Sequence, residues 1–591
     1  MPKTFTKRKI FFCAIMLSMA FVLLFARLSY LMIARSQYYM ERAEDLHQRQ
    51  RSIKAKRGII YDRNGVELAG NKPVCSVSVI HSQVEDEDAV VSALCSILKL
   101  PEDEVRKKVL ANTIREKIKS NVEKETADKL RDMNLAGIMI DEDYKRYYPY
   151  DSLASKVLGF TGSDNQGIVG LEVSYEDVLS GTPGSILTLT DAHGIELKNE
   201  VESRLEPIPG DNLYISIDVN IQKYAEQAAS KVYRQKQAKR VSVILMNPQN
   251  GEIYAMVNVP EYNLNEPYKL TGVKAEGKSD KKKQDALNAM WRNFCINDTY
   301  EPGSTFKTVT ATAALEEGVV SVNDNFFCPG YRVVEDRKIR CARTRGHGAE
   351  TFRQGIMNSC NPVFIDVGAR VGVEKMYENY RKLGLFEKTG VDLPGEANSI
   401  MHKKEDVKAV ELATMSFGQS FQITPMQLLR AISAMINGGK LITPHFAMYV
   451  TGEDGNKKKE YEYPEKAGVI KKETSDTMKE LLEAVVAEGG GAKGRVEGFR
   501  VGGKTATSEK LPRGNGKYIS SFMGFAPVDN PQIIGLIMID EPVGVYYGGT
   551  IAAPVMSEIF ENILPYLGIK ADYSEEKLKE TMTTIYIEEG D

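Results

Sequence analysis

Tyr300-Glu301-Pro302-Gly303-Ser304-Thr305-Phe306-Lys307-Thr308-Val309 is the stretch around which the rest of the chain is best read. Pro302-Gly303 makes a turn, and the Ala/Thr/Leu/Glu run after it predicts a helix ending at Gly318. Ser304 then stands at the helix start, with Lys307 three residues on and on the same face. Unpaired backbone N–H groups lie nearby. A serine activated by an amine is a nucleophile that needs no histidine. The spacing alone decides nothing, because Ser279/Lys282 and Ser574/Lys577 share it. A solvated helix N-terminus explains any one of the three.

What separates Ser304 lies downstream. Met357-Asn358-Ser359-Cys360-Asn361-Pro362 offers a hydroxyl and an amide two residues apart on a turn. Val501-Gly502-Gly503-Lys504-Thr505-Ala506-Thr507 predicts a strand, followed by further strands over 520–525 and 533–540. Lys504, Thr505 and Thr507 would place a cation and two hydroxyls at a sheet edge, suited to a carboxylate. Upstream, Arg240–Met246 and Ile253–Val259 flank Pro248-Gln249-Asn250-Gly251 and predict a hairpin. A helix over 218–235, capped by Asp218, precedes it. Together these predict an α+β fold: a mainly antiparallel sheet packed between helices.

Composition narrows the rest. The 591 residues, 42% hydrophobic and 27% charged, supply three or four domains' worth of ordinary core. A net charge of −3, with no basic, aromatic-interleaved face, argues against nucleic acid as a partner. Seven scattered cysteines (Cys13, Cys75, Cys95, Cys295, Cys328, Cys341 and Cys360) form no disulfide scaffold and no Cys-x-x-Cys pair, and the six histidines form no His-Glu-x-x-His. No metal and no cofactor are expected.

At the N-terminus Lys3, Lys7, Arg8 and Lys9 precede the uncharged run Ile10 to Ala26, extended past Arg27 to Ile33. That is the length of a membrane-spanning helix, with Arg27 near enough to the end to snorkel. A cleaved signal peptide is the alternative; the run is long for one, and no small-x-small site follows it. Positive-inside bias places residues 1–9 in the cytoplasm and the remainder outside, at the cell membrane. Residues 34–56 read as a helical stalk. Residues 57–69 read as strand, Asn64-Gly65 turn, strand. From about 83 to 135 the pattern reads as helical, and 271–285 as a Lys-rich solvated excursion.

The ordered set Ser304-x-x-Lys307, Ser359-x-Asn361 and Lys504-Thr505-x-Thr507, spaced by about 55 and 145 residues, is the combination found in penicillin-recognising serine enzymes. The chain resembles the class B penicillin-binding proteins, monofunctional peptidoglycan DD-transpeptidases, over nearly its whole length. Its N-terminal part is similar to the family's pedestal through Arg57-Gly58-x-Ile60-x-Asp62-Arg63-Asn64-Gly65 and Gly167-x-x-Gly170-x-Glu172-x-x-Tyr175. Gly418-Gln419, Thr424-Pro425-x-Gln427-Leu428 and Asn437-Gly438-Gly439 resemble its later helix. The organisation this implies is a cytoplasmic tail (1–9), transmembrane helix (10–33), stalk (34–56), elongated α+β pedestal or dimerisation-type domain (57–209), transpeptidase domain with a five-stranded sheet (210–570) and tail (571–591). No glycosyltransferase domain or C-terminal sensing repeat is expected.

The resemblance also implies the roles. Ser304 attacks the carbonyl between two terminal D-alanines of a stem peptide; Lys307, its pKa lowered by burial and by Lys504, takes the proton. Ser359 relays it to the leaving amine, and Asn361 holds Lys307 and the peptide. Lys504, Thr505 and Thr507 bind the terminal carboxylate, beside Ala506. The oxyanion hole falls at the N–H groups of Ser304 and Thr507; losing such a donor costs about 100- to 1000-fold. A neighbouring stem's amine resolves the acyl-enzyme into a crosslink, while β-lactams leave Ser304 acylated. The family further implies a polytopic glycan polymerase as partner and a septal or spore-cortex role.

Two departures carry expectations of their own. Ala506 stands where the family usually has glycine, so catalysis should survive while β-lactam affinities change. Cys360 sits inside Ser359-x-Asn361, as in the sporulation branch. It is either a bland buried thiol or, outside the cytoplasm, a redox partner of Cys341; Cys328–Cys341 is the other pairing. A Cys341–Cys360 bond would displace the turn and inactivate the enzyme. The competing functions are a membrane-anchored β-lactamase, for which no Glu-x-x-Leu-Asn stretch is found, and a non-enzymatic β-lactam sensor, which would carry several spans.

Overall fold

The computed structural model describes residues 3–36, 48–111, 115–189, 203–271 and 279–571. It is a mixed α+β protein whose chain divides into two compact units.

One unit comprises Met1–Lys56, Asn71–Lys145 and Gly181–Pro209. Its first element is the helix Lys3–Ser29, closed by a turn of wider helix over Tyr30–Ala34. Lys9–Ile33 spans 25 residues at mean hydropathy 2.4, long and apolar enough to cross a bilayer. Side chains such as Phe11, Leu17 and Phe25 are exposed along it, as an anchor requires. The expected helical stalk is corrected at its C-terminal end: Gln48–Ile53 is a strand paired antiparallel with Gly184–Leu189. The rest of the stalk (37–47) lies outside the described residues. The helical reading of 83–135 also needs correction. Helices Glu87–Leu98, Glu102–Val109 and Lys124–Asp132 are there, but Glu116–Glu123 is a strand paired with Val74–Val79. Only Ile118 and Val122 of it are buried, so a charged strand with two inward apolar residues passed for a charged helix.

The second unit holds Arg57–Gly70, Arg146–Ser180 and Gly210–Asp591. At its centre are β1 (Arg240–Met246), β2 (Ile253–Val259), β3 (Gly502–Glu509), β4 (Tyr518–Ala526) and β5 (Ile533–Asp540), in the order β2-β1-β5-β4-β3, all neighbours antiparallel. Alternation along β1 sends Val241, Val243 and Leu245 to one face, against α1 (Val219–Lys236) and the C-terminal helix Ala553–Tyr566. Ile244 and Met246 join the core on the other face, with the helices Pro425–Ile436 and Lys472–Ala487. Asp218 caps α1 by accepting from the N–H groups of Asn220 and Ile221, a contact worth about 1 kcal/mol.

The Arg57-Gly58 and Glu172 motifs meet inside this second unit. Glu172 is fully buried and receives Arg57 Nε at 2.7 Å and Arg146 Nε at 2.6 Å, with Tyr148 OH at 3.1 Å. Burial opposes ionisation of Glu172, yet the two guanidiniums hold its carboxyl below the usual range. Asp62 accepts from the backbone N–H groups of Asn64 and Val66 and closes the turn. These residues therefore belong to the compact unit that carries the sheet.

Candidate active site

β3 is an edge strand, so one side of its backbone is free to meet something other than a strand. Against it lies the Gly303–Phe306 segment, a tight 3₁₀ turn; the α-helix proper is α2 (Lys307–Glu316). Ser304 thus sits one turn ahead of the α-helix rather than in its first turn, and Lys307 begins it. Two glycines allow the close approach. Gly303 has φ +57°, and a Cβ there would stand 2.2 Å from Ser508 Oγ on β3; a Cβ on Gly418 (φ +85°) would lie 2.1 Å from the Gly303 carbonyl oxygen. The Gly303 N–H donates to Gly418 O (2.9 Å), which ties Gly418-Gln419 to the turn. Thr424 and Gln427 form a capping box on the Pro425–Ile436 helix, and Tyr300 N–H donates to Ile423 O just ahead of it.

Lys307 is 1% exposed and donates from Nζ to Ser359 O (2.6 Å), Ser359 Oγ (3.2 Å) and Asn361 Oδ1 (2.8 Å). Ser359 holds φ +54°, left-handed for a residue with a Cβ, and Asn361 opens α3 (Asn361–Lys382). Asn361 Nδ2 donates to Arg340 O (3.0 Å), which fastens the turn to the strand Arg337–Arg340. Ser304 is half-buried, and among the described residues its Oγ has no hydrogen-bond partner.

The opposite wall is β3. Lys504 is also 1% exposed and, among the described residues, donates only to its neighbour's carbonyl, Thr505 O, at 3.2 Å. Lys504, buried Ala506 and Ser508 share one strand face, turned toward the Gly303 turn, while Thr505 and Thr507 share the other. Thr507 Oγ1 accepts from Gly548 N–H (3.0 Å), and Thr505 Cγ2 lies near Gly549. Between the walls is a cavity of about 670 Å³, lined among others by Ser304, Ser359, Asn361, Thr505, Thr507 and Tyr547. That is room for a peptide terminus.

Neither lysine is ion-paired among the described residues. Burial pulls Lys307 down to about 8. Burial, then the nearby Lys307 charge, holds Lys504 well below the ordinary lysine value. The expected influence of Lys504 on Lys307 is therefore corrected: burial is what lowers Lys307. Ser279 immediately precedes a separate surface helix, Asp280–Trp291, without a side-chain capping bond, and Ser574/Lys577 lies outside the described residues.

Residues 241–561 match the family described as the penicillin binding protein transpeptidase domain, and residues 52–215 the penicillin-binding protein dimerisation domain. Stage V sporulation protein D of Bacillus subtilis is 36% identical over 573 residues, 95% of this chain and 86% of that protein. The chain belongs to the penicillin-binding protein transpeptidase family. The probable peptidoglycan D,D-transpeptidase PenA of Neisseria meningitidis is 30% identical (95% of this chain, 93% of that one), and the peptidoglycan D,D-transpeptidase FtsI of Escherichia coli 29% (94% and 91%). A solved peptidoglycan synthetase from Bifidobacterium adolescentis shares the fold at TM-score 0.71 and 23% identity, covering 89% of this chain and 98% of its own. This penicillin-binding protein is accordingly a peptidoglycan transpeptidase with a peptidoglycan substrate and β-lactam binding, and its N-terminal apolar helix is compatible with a membrane anchor.

The structure also gathers residues that sequence reasoning did not. Cys341 and Cys360 do approach each other, but Cys328 and His347 join them, with all four ligand atoms within 4.8 Å of one another and all three cysteines free. The expectation of no metal-ligand set rested on missing short motifs. Here the four come from separate segments, 13, 6 and 13 residues apart.

Proposed function

We propose that Ser304 is the acylated nucleophile of a D-Ala-D-Ala transpeptidase and that Lys307, Ser359 and Asn361 are its proton machinery. The observation that carries this is the buried Lys307 amine, held between Ser359 and Asn361 on a helix start facing an edge strand. Neutral Lys307 accepts the Ser304 proton as Oγ attacks the carbonyl carbon between two terminal D-alanines. Ser359 Oγ, already bonded to Lys307 Nζ, passes that proton to the departing D-alanine amine. The oxyanion of the tetrahedral intermediate is received by the N–H groups of Ser304 and Thr507. The terminal carboxylate takes up Lys504 and the Thr505 and Thr507 hydroxyls; an anion is what a buried, unpaired ammonium lacks. A second stem's amine then attacks the acyl-enzyme, forming the crosslink and restoring Ser304.

The N-terminal basic residues and the following helix support a single-pass anchor with residues 1–9 cytoplasmic and the catalytic unit outside. A septal or spore-cortex role, and a polytopic glycan polymerase as partner, are the readings the sporulation and division relatives support. The domain division into a tail, anchor, stalk, 57–209 pedestal and 210–570 transpeptidase stays with this proposal.

Labelling the full chain with a fluorescent penicillin is the test. The adduct is expected to persist for hours and to vanish in Ser304→Ala. Retained labelling in that variant would refute the assignment, and rapid loss of the wild-type adduct would favour a β-lactamase.

A further inference from the structure

We propose that Arg340 reads a second carboxylate on the donor peptide, on the acyl side of the bond that Ser304 attacks, and so selects stems that carry one. This rests on the transpeptidase reading and deepens it. The charge of the cavity is lopsided. Among the described residues that line it none is acidic, and the two cations are Arg340 and Lys493. The whole chain carries a net charge of −3, so the excess is local, and a cleft lined by one sign of charge concentrates the opposite one. Its source is the run Arg337-Lys338-Ile339-Arg340-Cys341-Ala342-Arg343-Thr344-Arg345, five cations in nine residues without an acid.

Packing singles out Arg340. In the hairpin of Tyr331–Val334 and Arg337–Arg340 the other cations have partners. Arg332 pairs with Asp366 on α3, Arg337 with Asp336 at 3.5 Å, and Lys338 Nζ lies 3.9 Å from the centre of the Tyr331 ring. Arg340 is ion-paired with none of the described residues, and of the run's cations it is the one that lines the cavity. Its backbone is fixed: Cys341 N–H donates to Gly330 O at 2.8 Å, and Arg340 O accepts from Asn361 Nδ2 at 3.0 Å. A guanidinium carried on a fixed backbone loses less freedom on meeting an anion, and its planar fork matches a carboxylate.

Position separates this carboxylate from the terminal one. The terminal carboxylate goes to Lys504, Thr505 and Thr507 on the strand wall. Lys493 belongs to that end: a Cβ on Gly549 would stand 2.7 Å from Gly490 O in the Lys493 loop and 3.4 Å from Thr505 Cγ2. Arg340 is on the other wall, bonded through its carbonyl to the same Asn361 that holds the Lys307 amine. There it stands beside the part of the donor that stays on Ser304 when the last D-alanine leaves. Two groups of a stem peptide offer a carboxylate at that place. One is the side chain of a diamino diacid just before the two D-alanines; the other is the α-carboxylate that a γ-linked glutamate leaves free one residue further out.

The experiment uses the full chain in detergent and three penicillins whose side chain copies those two residues: one with both carboxylates free, and two with one or the other amidated. Acylation is followed by competition with a fluorescent penicillin. The wild type should react about three- to tenfold faster with the free probe than with one of the amides, and the slow amide names the group that is read. That preference should shrink toward unity at about 1 M salt, where charges are screened over about 3 Å. It should vanish in Arg340→Ala and in Arg340→Gln, and persist in Arg340→Lys and in Lys493→Ala. Being a ratio taken within each variant, it does not depend on how much of the protein folds. Equal rates for all three probes on the wild type would overturn the proposal, and so would a preference that survives Arg340→Gln. Acylation that survives Ser304→Ala would instead refute the nucleophile, which keeps the two readings apart.

Discussion

The two walls of the cavity hold the same kind of group in opposite circumstances. On the helix wall Lys307 is buried but surrounded by acceptors, two from Ser359 and one from Asn361, and its pKa stays near 8. On the strand wall Lys504 is equally buried yet, among the described residues, donates to one carbonyl, and it is held well below the ordinary lysine value. Burial lowers both lysines; the negative charge of Cys360, Cys341 and Glu350 opposes that at Lys307, whereas at Lys504 the Lys307 charge adds to it. The first lysine is thereby suited to exchange a proton. The second is left short of an anion that a ligand can supply.

The contrast breaks most sharply if the helix lysine is removed. Lys307→Ala should slow acylation by a β-lactam by about 100- to 10,000-fold with little change in initial binding, as stopped-flow or time-resolved penicillin labelling would read. Lys504→Ala should cost less, roughly 10- to 100-fold, the worth of a charge-assisted contact. It should also erase the preference for a β-lactam with a free carboxylate over its methyl ester. A variant that kept that preference would remove Lys504 from carboxylate binding.

The pH profile is a finer probe. Lys307 accepts a proton only when neutral, so acylation should rise roughly tenfold between pH 7 and 9 and level off above its pKa. Because the folded value lies below the unfolded one, the unfolded chain binds more protons between about 8 and the ordinary 10.5. This group's contribution to stability therefore increases with pH through that window. The smallest effect is expected from Ala506→Gly. Its methyl is buried toward the Gly303 turn, so acylation rates should change by no more than about fourfold, one methyl's worth, across a panel of β-lactams.

What was legible beforehand follows the range over which a function must be encoded. Ser304 and Lys307 are one helical turn apart, Ser359 and Asn361 share one turn, and Lys504 to Thr507 share one strand, so each could be read as a local pattern. The hairpin of β1 and β2 was equally local. Glu116–Glu123 escaped because its charged residues mask a two-residue alternation. The cysteine and histidine cluster escaped because its members come from separate segments, and their convergence is a property of the folded chain. The burial of Lys307 was anticipated; what spacing did not report is that the Lys504 charge has no part in lowering it, since which charges act on a buried group is set by packing.

The Glu172 cluster has a consequence for the order of events in synthesis. Arg57 leaves the ribosome 115 residues before the carboxylate it must meet. The buried Arg57–Glu172 pair cannot form until Glu172 is made, and bringing the two together closes a long loop. The N-terminal residues of this unit therefore wait for distant ones, a delay that a protein built of strictly sequential domains would not face.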